Sequence, residues 1–230
     1  QFLPYTSATS ITGSDNDSLK VLSSELGSFP TRIGGGVDSI IFVEHSPVYT
    51  LGTGSDTKFI LDSHSNDDNR DNENVEIVRI ERGGEVTYHG PGQLVCYPIL
   101  DMRGYKQDLH WYIRALEESV ILALKAVGIP NATREDGITG VWINNCKVAA
   151  VGVKVKKWIT MHGVAINITH ESLEHFNGIV PCGLVGRKVA CINNFLEENG
   201  EALITVEEFA SAMKDALKHV FRVELVDCAK

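Results

Sequence analysis

The sequence predicts an α/β protein, an α+β arrangement in which a mixed β-sheet is flanked by helices. Short apolar or alternating segments, which are typical of strands, alternate irregularly with two long amphipathic segments, which are typical of helices. The chain has 230 residues and is 43% hydrophobic, which is enough for one large core. We therefore expect residues 1–230 to form a single domain.

The N-terminal third contains one clear strand. Residues 1–36 are rich in Ser, Thr and Gly, with one candidate helix over Asp17–Leu26, and the apolar run Asp38–His45 predicts a buried strand. Residues 62–76 carry six acidic residues and four Asn, so we predict a polar insertion with the composition of a disordered segment. Val75–Glu81 alternates apolar and charged side chains, which predicts a half-buried strand.

Further strands are predicted in the centre of the chain. Gln93–Leu100 and Ile159–Ile168 are apolar runs of strand length. Gly140–Ile143 and Lys147–Val155 flank the pair Asn144-Asn145, a dipeptide that is typical of a hairpin turn. These segments would form the middle of the sheet.

Two segments have helical periodicity. Asp108 is a favourable N-cap residue, apolar side chains recur at helical spacing from Leu109 to Val127, and Gly128-Ile129-Pro130 predicts the end of this helix. Thr205-Val206-Glu207-Glu208 has the pattern of a capping box and precedes a second amphipathic segment, Phe209–Val220.

The composition excludes several classes of protein. A formal net charge of −9 leaves no basic majority to offset phosphates, so nucleic acid is not an expected partner. No run of about 18 apolar residues occurs, which predicts no membrane span, and the N-terminus has no secretory signal pattern. The five cysteines have no repeating spacing and no C-x-x-C pair, so we expect no disulfide framework, no metal site and a reducing compartment.

Positive charge is concentrated in residues 147–188, which hold six basic and two acidic side chains. One interpretation is an ordinary solvated strand edge. The alternative is a docking face for an acidic partner, because a local field steers encounter even on an acidic protein. The sequence leaves both interpretations open.

Cys182 is the cysteine best placed to be a nucleophile. Pro181 restricts the backbone before it and Gly183 permits an unusual backbone after it, a frame that suits a side chain held at a loop tip. A turn cysteine without a role is the alternative. The other four have weaker contexts: Cys96 in an apolar strand, Cys146 beside a hairpin turn, Cys191 in an apolar segment, and Cys228 near the end of the chain.

Lys147 is the candidate for activating such a thiol. An ordinary thiol of pKa about 8.5 is roughly 3% thiolate at pH 7, and a cation at about 4 Å contributes on the order of 4 kcal/mol at an effective dielectric of about 20. Lys147 begins a strand whose next residues, Val148–Gly152, are apolar or small, so its amine could be partly desolvated. A hairpin-end lysine in water is the alternative.

The segment Arg82–Gln93 has the highest density of candidate binding residues. Four glycines between Gly83 and Gln93 would let the backbone approach a ligand closely, and neighbouring polar side chains offer hydrogen-bond donors. The segment lacks the G-x-x-x-x-G-K-[ST] pattern of a phosphate-binding P-loop.

Four blocks in order carry a family resemblance: Arg82–Gln93, Lys147–Gly152, His162–Asn167 and Pro181-Cys182-Gly183. Together they resemble the lipoyl(octanoyl) transferase family, the octanoyltransferases that start lipoate synthesis. The resemblance covers residues 39–195, roughly two thirds of the chain. Its specific parts are the first block and the Pro-Cys-Gly triplet, and residues 1–36 and 62–76 do not match the family pattern.

The resemblance implies the fold of the biotin and lipoyl protein ligases and a ping-pong reaction without a cofactor. The thiolate of Cys182 takes the octanoyl group from octanoyl-acyl carrier protein, and a lysine of a lipoyl domain then attacks the enzyme thioester to form an amide. Lys147 matches the residue that lowers the thiol pKa and moves the proton. The implied acceptors are the lipoyl domains of 2-oxoacid dehydrogenase E2 subunits and the glycine cleavage H protein.

The resemblance also assigns an acyl pocket, in which small side chains would leave room for an eight-carbon chain. Burying about seven methylenes at roughly 0.8 kcal/mol each would let chain length be recognised. The implied substrate-binding residues are Arg82, Gly83, Gly84, Glu85, Val86, Thr87, Tyr88, His89, Ala150, Val151, Gly152, Gly163, Val164 and Ala165. The backbone amides near Cys182 and the side chain of His89 are the candidate donors to the oxyanion.

Two further blocks, Asp108–Tyr112 and Trp158-Ile159-Thr160, resemble plant and cyanobacterial members of the family. This resemblance implies an organelle matrix, a plastid rather than a mitochondrion, or the cytoplasm if the source is bacterial.

Three other functions remain open. An ATP-dependent lipoate or biotin protein ligase has the same fold, but it forms an acyl-adenylate and needs no cysteine nucleophile, so Cys182 discriminates against it. A non-catalytic module that binds acyl carrier or lipoyl domains would tolerate loss of Cys182. A thioesterase would need an activated water, which no motif in the sequence specifies.

Overall fold

The computed structural model describes residues 2–13, 38–55, 75–179 and 187–227, with the backbone alone for 2–13 and 227. The predictions for Asp17–Leu26 and for residues 62–74 of the polar insertion lie outside these ranges. In chain order the described strands are β1 (Phe2–Gly13), β2 (Ser39–His45), β3 (Val48–Leu51), β4 (Glu76–Arg79), β5 (Val86–His89), β6 (Gln93–Ile99), β7 (Thr133–Glu135), β8 (Ile138–Ile143), β9 (Cys146–Lys156), β10 (Ile159–Asn167), β11 (Lys188–Val189) and β12 (Val223–Asp227).

The strands form a large sheet and a small one. The large sheet has the order β12-β1-β2-β6-β10-β9-β8-β7, and β11 pairs with β9. Its pairs are antiparallel except for the parallel pair of β11 and β9. The small sheet has the order β4-β3-β5, with β3 parallel to β4 and antiparallel to β5. The predicted mixed sheet is therefore confirmed.

Three α-helices occur in the described residues: α1 (Leu109–Ala126), α2 (Ile192–Glu198) and α3 (Val206–Phe221). The Asp108 carboxylate accepts a hydrogen bond from the backbone N–H of Trp111 at 3.1 Å, so the predicted N-cap of α1 is confirmed. At the start of α3, Thr205 Oγ1 accepts from the N–H of Glu208 at 3.2 Å, and the Glu208 carboxylate accepts from the N–H of Thr205 at 2.8 Å. This reciprocal pair is the predicted capping box.

The main core lies between the helices and one face of the large sheet. Leu94 and Cys96 of β6 pack in the same buried cluster as Leu116 of α1 and Phe209 of α3. Because side chains alternate along a strand, neighbouring residues of β6 project from the opposite face. That opposite face is free of α1 and α3 and is the one that contributes to the candidate site.

The strand predicted at Val75–Glu81 is confirmed at Glu76–Arg79. Val78 is partly buried as expected, but Ile77 is 52% exposed, since β4 is an edge strand of the small sheet. One prediction about a single side chain is wrong: Leu109 was expected on the apolar face of α1 and is 42% exposed, although Trp111 and Tyr112 in the same turn are buried. None of the described helices has both the length and the apolar character needed to cross a lipid bilayer.

Candidate active site

A cavity of about 330 Å³ lies between the small sheet and the face of the large sheet opposite α1 and α3. This volume is at the lower end of the range of about 300–1,000 Å³ for small-molecule sites. The lining residues foreseen from the sequence are Arg82, Gly83, Gly84, Glu85, Thr87, His89, Lys147, Ala150, Val151, Gly152, Gly163, Val164 and Ala165. The structure thus brings together residues from three of the four sequence blocks.

Val86 and Tyr88 do not line this cavity. They belong to a separate buried cluster with Tyr49, Leu51 and Ile179. The alternation of side chains along β5 explains the difference, because Thr87 and His89 face the cavity and their neighbours face the other way. A continuous block in the sequence therefore divides into two groups in space.

The glycine-rich loop after β4 is bound closely to β9. The N–H of Gly83 donates to the carbonyl of Val153 at 3.0 Å. A Cβ on Gly152 would lie 3.0 Å from Arg82 Cδ and 3.2 Å from the carbonyl oxygen of Gly83. The small residue at 152 therefore permits the loop to lie against the strand, a packing role that adds to the expected clearance for an acyl chain.

Arg82 is buried in this loop and braces it against the small sheet. Its Nη2 donates to the carbonyl oxygen and to Oγ1 of Thr50, at 2.7 and 2.8 Å. Its Nη1 donates to the carbonyl of Gly83 at 3.1 Å. These bonds occupy two guanidinium nitrogens, so Arg82 acts as a structural clamp that also presents positive charge to the cavity wall.

Lys147 lies in the cavity wall and is only 8% exposed, so the alternative of a lysine in open water is wrong. Its Nζ lies 5.5 Å from the ring centroid of Trp142, within the range of a cation–π contact. Trp142 and Lys147 are paired across β8 and β9. The buried strand position and the indole ring together restrict the lysine side chain to the cavity.

Cys182 lies in residues 180–186, outside the described residues. The described chain on both sides of this segment lies beside the site. After it, Val189 of β11 pairs with Lys147, and the N–H of Ala190 donates to the carbonyl of Lys147 at 3.0 Å. Before it, Phe176 lines a second, smaller cavity of about 20 Å³ whose walls include Lys147 and Val189.

Arg187, at the start of the chain that follows this segment, shares the indole of Trp142 with Lys147. The guanidinium carbon of Arg187 lies 5.1 Å from the ring centroid. The guanidinium also forms an ion pair with the carboxylate of Glu135. Trp142 is 1% exposed, so two cations are held at one buried aromatic ring.

A network of side-chain hydrogen bonds fixes the imidazole of His89. Gln93 Nε2 donates to the carbonyl of Tyr88 at 3.1 Å and to Asn167 Oδ1 at 2.9 Å, and Asn167 Nδ2 donates to the carbonyl of Ala190 at 3.2 Å. Gln93 Oε1 is therefore the acceptor at 2.7 Å from His89 Nδ1. Nδ1 must carry the proton, which leaves Nε2 as an acceptor.

Burial lowers the pKa of His89 to about 3, an effect that the hydrogen bond to Gln93 opposes and that the charges of His45, Arg82 and His162 increase. The ring is consequently neutral near pH 7. A neutral ring protonated at Nδ1 has no proton at Nε2 to donate, so the network argues against His89 as an oxyanion donor. It can accept a hydrogen bond from a ligand N–H or O–H group.

Several residues of the cavity wall, among them Tyr97, Thr139 and His162, were not among the site residues expected from the sequence. Tyr97 lies in a run that is uniformly apolar in sequence, so only the alternation along β6 could have indicated its face. Burial lowers the pKa of His162, and the nearby charges of Arg82 and Lys154 act in the same direction. His162 directly precedes Gly163, an expected substrate-binding residue, and this adjacency was the signal in the sequence that could have indicated its place in the cavity wall.

Cys96 and Cys191 are packed in the structure rather than presented to the cavity. Cys96 is buried, and burial raises the pKa of its thiol far above the ordinary range. Cys191 is the N-cap of α2, and burial raises the pKa of its thiol as well. Cys228 lies outside the described residues. Within the described ranges, no group of three or more His, Cys, Asp or Glu side chains is arranged to hold a metal ion.

Residues 30–218 match the catalytic domain of the lipoyl protein ligase A/B family. A chloroplastic octanoyltransferase of Arabidopsis thaliana is 50% identical over 163 residues, which cover 70% of this chain and 55% of that protein. An octanoyltransferase of Gloeobacter violaceus is 53% identical over 147 residues, covering 64% and 62%. The chain thus spans less than two thirds of the length of these two relatives. An octanoyltransferase of Nostoc sp. is 47% identical over 191 residues, which cover 83% of this chain and 80% of that protein.

Solved structures of lipoate protein ligases share the fold. A bipartite lipoate protein ligase of Thermoplasma acidophilum has a TM-score of 0.61 at 17% identity and covers 84% of this chain and 73% of that one. Lipoate-protein ligase A bound with ATP has a TM-score of 0.59 at 16% identity, with coverage of 79% and 71%. At such identities the similarity establishes the fold alone, and it confirms the predicted lipoyl protein ligase-like architecture.

Proposed function

This chain belongs to the lipoyl protein ligase A/B catalytic domain family and, within it, to the octanoyltransferases, and we propose on that premise that it transfers an octanoyl group to lipoyl domains. The donor is octanoyl-acyl carrier protein, and the acceptor is a specific lysine amine. Cys182 carries the octanoyl group as a thioester, and Lys147 moves the proton.

The observation that carries this proposal is the position of Lys147. Its amine lies in the cavity wall, and β11, which follows the segment containing Cys182, pairs with β9 at Val189 and Lys147. A buried amine beside the chain that bears the thiol supports a role in taking the thiol proton and then pairing, as an ammonium, with the thiolate. The apolar wall, which includes Ala150, Val151 and Ala165, supports binding of an alkyl chain.

In the first half of the reaction the amine of Lys147 takes the proton from the Cys182 thiol. The thiolate attacks the carbonyl carbon of the donor thioester, and a new carbon–sulfur bond forms. The bond from that carbon to the sulfur of the carrier breaks, and the ammonium of Lys147 returns the proton to the departing thiolate. The octanoyl group is then held on the enzyme.

In the second half the amine of the acceptor lysine attacks the thioester carbonyl. The neutral amine of Lys147 takes a proton from the attacking nitrogen, the amide bond forms, and the bond to the sulfur of Cys182 breaks. The same proton restores the thiol, so no cofactor is consumed. His89 Nε2, an acceptor in the cavity wall, is suited to orient the N–H groups of the incoming amine.

The acceptors in this proposal are the lipoyl domains of 2-oxoacid dehydrogenase E2 subunits and the glycine cleavage H protein. The solved archaeal neighbour is a lipoate protein ligase studied with its E2 lipoyl domain, which supports this class of acceptor. The Arabidopsis relative is chloroplastic and others are cyanobacterial. These relatives support a plastid as the location.

The proposal is tested by mixing the protein with octanoyl-acyl carrier protein in the absence of ATP. We expect a mass increase of one octanoyl group on the peptide that contains Cys182, and its loss when a lipoyl domain is added. Cys146→Ser, which removes a partly exposed thiol at the start of β9, is the matched control and should keep the adduct. Cys182→Ser should bind the carrier protein without transfer.

Two outcomes would contradict the proposal. Activity that requires ATP, with no adduct on Cys182, would indicate a ligase that forms an acyl-adenylate. Full carrier binding and unchanged function in the cell with Cys182→Ser would indicate a non-catalytic binding module.

A further inference from the structure

The position of the Lys147 side chain depends on the backbone of β8 as well as on its own strand, β9. Gly140 has φ +128°, and a Cβ built there would lie 2.6 Å from Lys147 Cε and 3.3 Å from Nζ. Together with the indole of Trp142, 5.5 Å from Nζ, this glycine delimits the space of the amine. A small movement of β8 at residue 140 would therefore change where the amine points.

Glu117 of α1 fixes Gly140 from the core side. Its side chain is 0% exposed, and Oε1 accepts a hydrogen bond from the backbone N–H of Gly140 at 2.8 Å. The pairing of β8 with β9 shifts register between Val141 and Trp142, next to this residue. The carboxylate thus bonds the strand at the irregular point that faces Lys147.

The second oxygen of Glu117 faces arginines. Oε2 accepts from Arg114 Nη1 at 2.9 Å and lies 3.5 Å from Arg134 Nε. Arg134 also pairs with the carboxylate of the next residue, Glu118. A carboxylate held by two cations on one side and bonded to a backbone N–H on the other is a rigid strut between α1 and β8.

We propose that Glu117 is a positioning residue, whose carboxylate fixes Gly140 and through it the amine of Lys147 in the cavity wall. This inference rests on the proposed function, since it assigns Glu117 a role in the proton transfer by Lys147. A misplacement of about 1 Å in a reacting group can lower a rate by about 10²-fold, so a strut that prevents such a movement has a measurable effect.

Two substitutions separate the position of the oxygen from its charge. Glu117→Asp keeps the charge against the arginines and withdraws the acceptor from Gly140 by one methylene. Glu117→Gln keeps an oxygen at the original distance and removes the charge. Glu118→Gln is the matched control. It removes a carboxylate that pairs with the same Arg134, but Glu118 does not bond Gly140.

The measurements are the rate of Cys182 alkylation by iodoacetamide as a function of pH, followed by peptide mass spectrometry, and the kcat and KM of octanoyl transfer. We expect Glu117→Asp to lower alkylation at pH 7 and kcat by about tenfold or more, to move the alkylation midpoint to higher pH, and to leave KM unchanged. Glu117→Gln and Glu118→Gln should stay within about twofold of the wild type, since both keep the acceptor.

The inference is overturned if Glu117→Asp folds with wild-type alkylation and kcat, or if Glu117→Gln is impaired as much as Glu117→Asp. The latter result would assign the effect to the ion pair. Lys147→Met provides the reference for the proposed function. If Lys147→Met itself leaves alkylation and transfer unchanged, the proton role of Lys147 fails, whatever the Glu117 variants do.

Discussion

At the scale of single residues, the site depends on how closely backbone segments approach one another. Gly152 lies against the Arg82 loop, Gly140 against Lys147, and Gly163 against β6. Each of these glycines has at least one sequence neighbour that lines the cavity. The absence of a side chain at these positions therefore sets the shape of the cavity wall through packing of the backbone.

Gly163→Ala is expected to destabilise the protein by about 1–3 kcal/mol, because overpacking a closely packed position forces neighbouring atoms to move. A Cβ at this position would lie 2.0 Å from the carbonyl oxygen of Cys96 and 2.8 Å from Pro98 Cδ. Urea unfolding measures the change. Gly54→Ala is the control, because the nearest atom to its Cβ would be 3.8 Å away. Equal stability of the two variants would contradict the packing argument.

At the scale of elements, the hairpin of β9 and β10 forms one wall of the cavity and ends in exposed basic residues. Lys156 and Lys157 at its tip are exposed, next to Trp158, which is 38% exposed. Lys154 is paired with Glu81 and Arg187 with Glu135, so the face between residues 147 and 188, which the sequence left open as a docking face, is less positive than its composition suggests. Lys156 and Lys157 at the tip, together with Lys188 in β11, are the exposed lysines of this face.

Reversing the charge of the tip with Lys156→Glu and Lys157→Glu tests the docking face. We expect the KM for octanoyl-acyl carrier protein to rise about five- to tenfold at low salt, with kcat unchanged, because exposed charges act on encounter. Steady-state kinetics at several salt concentrations measure the effect, and the salt dependence should flatten. Lys125→Glu, an exposed lysine at the end of α1, is the control. An unchanged salt profile at the tip would mean that these lysines are only solvated.

At the scale of the whole molecule, three histidines lie where the two sheets meet: His45 at the end of β2, His89 at the end of β5, and His162 in β10. The rings of His45 and His89 are 5.6 Å apart. Burial lowers the pKa of all three below 6.5. Protonating them would place positive charges close together in a poorly solvated region between the two sheets. This region therefore favours the neutral rings.

This arrangement predicts that acid destabilises the fold. Because the folded-state pKa of His89 is about 3 and the unfolded value is about 6.5, the unfolded chain binds the extra proton between these values. The contribution of the neutral His89 ring to the free energy of unfolding is therefore fully present above pH 6.5. It is lost as pH falls toward 3, by about 1.4 kcal/mol per pH unit.

Urea unfolding at pH 7 and pH 5 of the wild type and of His89→Gln checks this expectation. The wild type should lose about 2 kcal/mol more than the variant between these pH values. His110→Gln is the matched control, because His110 is exposed at the start of α1 and unfolding changes its surroundings little. An identical loss in the wild type and His89→Gln would contradict the assignment of a buried neutral ring.

The elements that could be predicted from sequence share a strong local signal. The helices α1 and α3 have caps and a regular period, and β2, β6, β9 and β10 are long apolar or turn-bounded runs. Three-residue or four-residue strands such as β3 and β7 have too few side chains to show a period. The helix α2 was missed for the same reason, since it contains seven residues.

The sequence by itself determined the fold class, the long elements, the four blocks that carry the family resemblance, and Cys182 and Lys147 as the candidate pair. These features depend on residue type and spacing along the chain. Tertiary structure alone decided which members of a block face the cavity. Thr87 and His89 face it, and Val86 and Tyr88 do not. It also decided that Lys147 is buried against Trp142, and that Glu117, 30 positions before it in the printed sequence, bonds the strand beside it. The physical reason is that strand pairing and helix packing join residues distant in sequence, and no local pattern records which of them will meet.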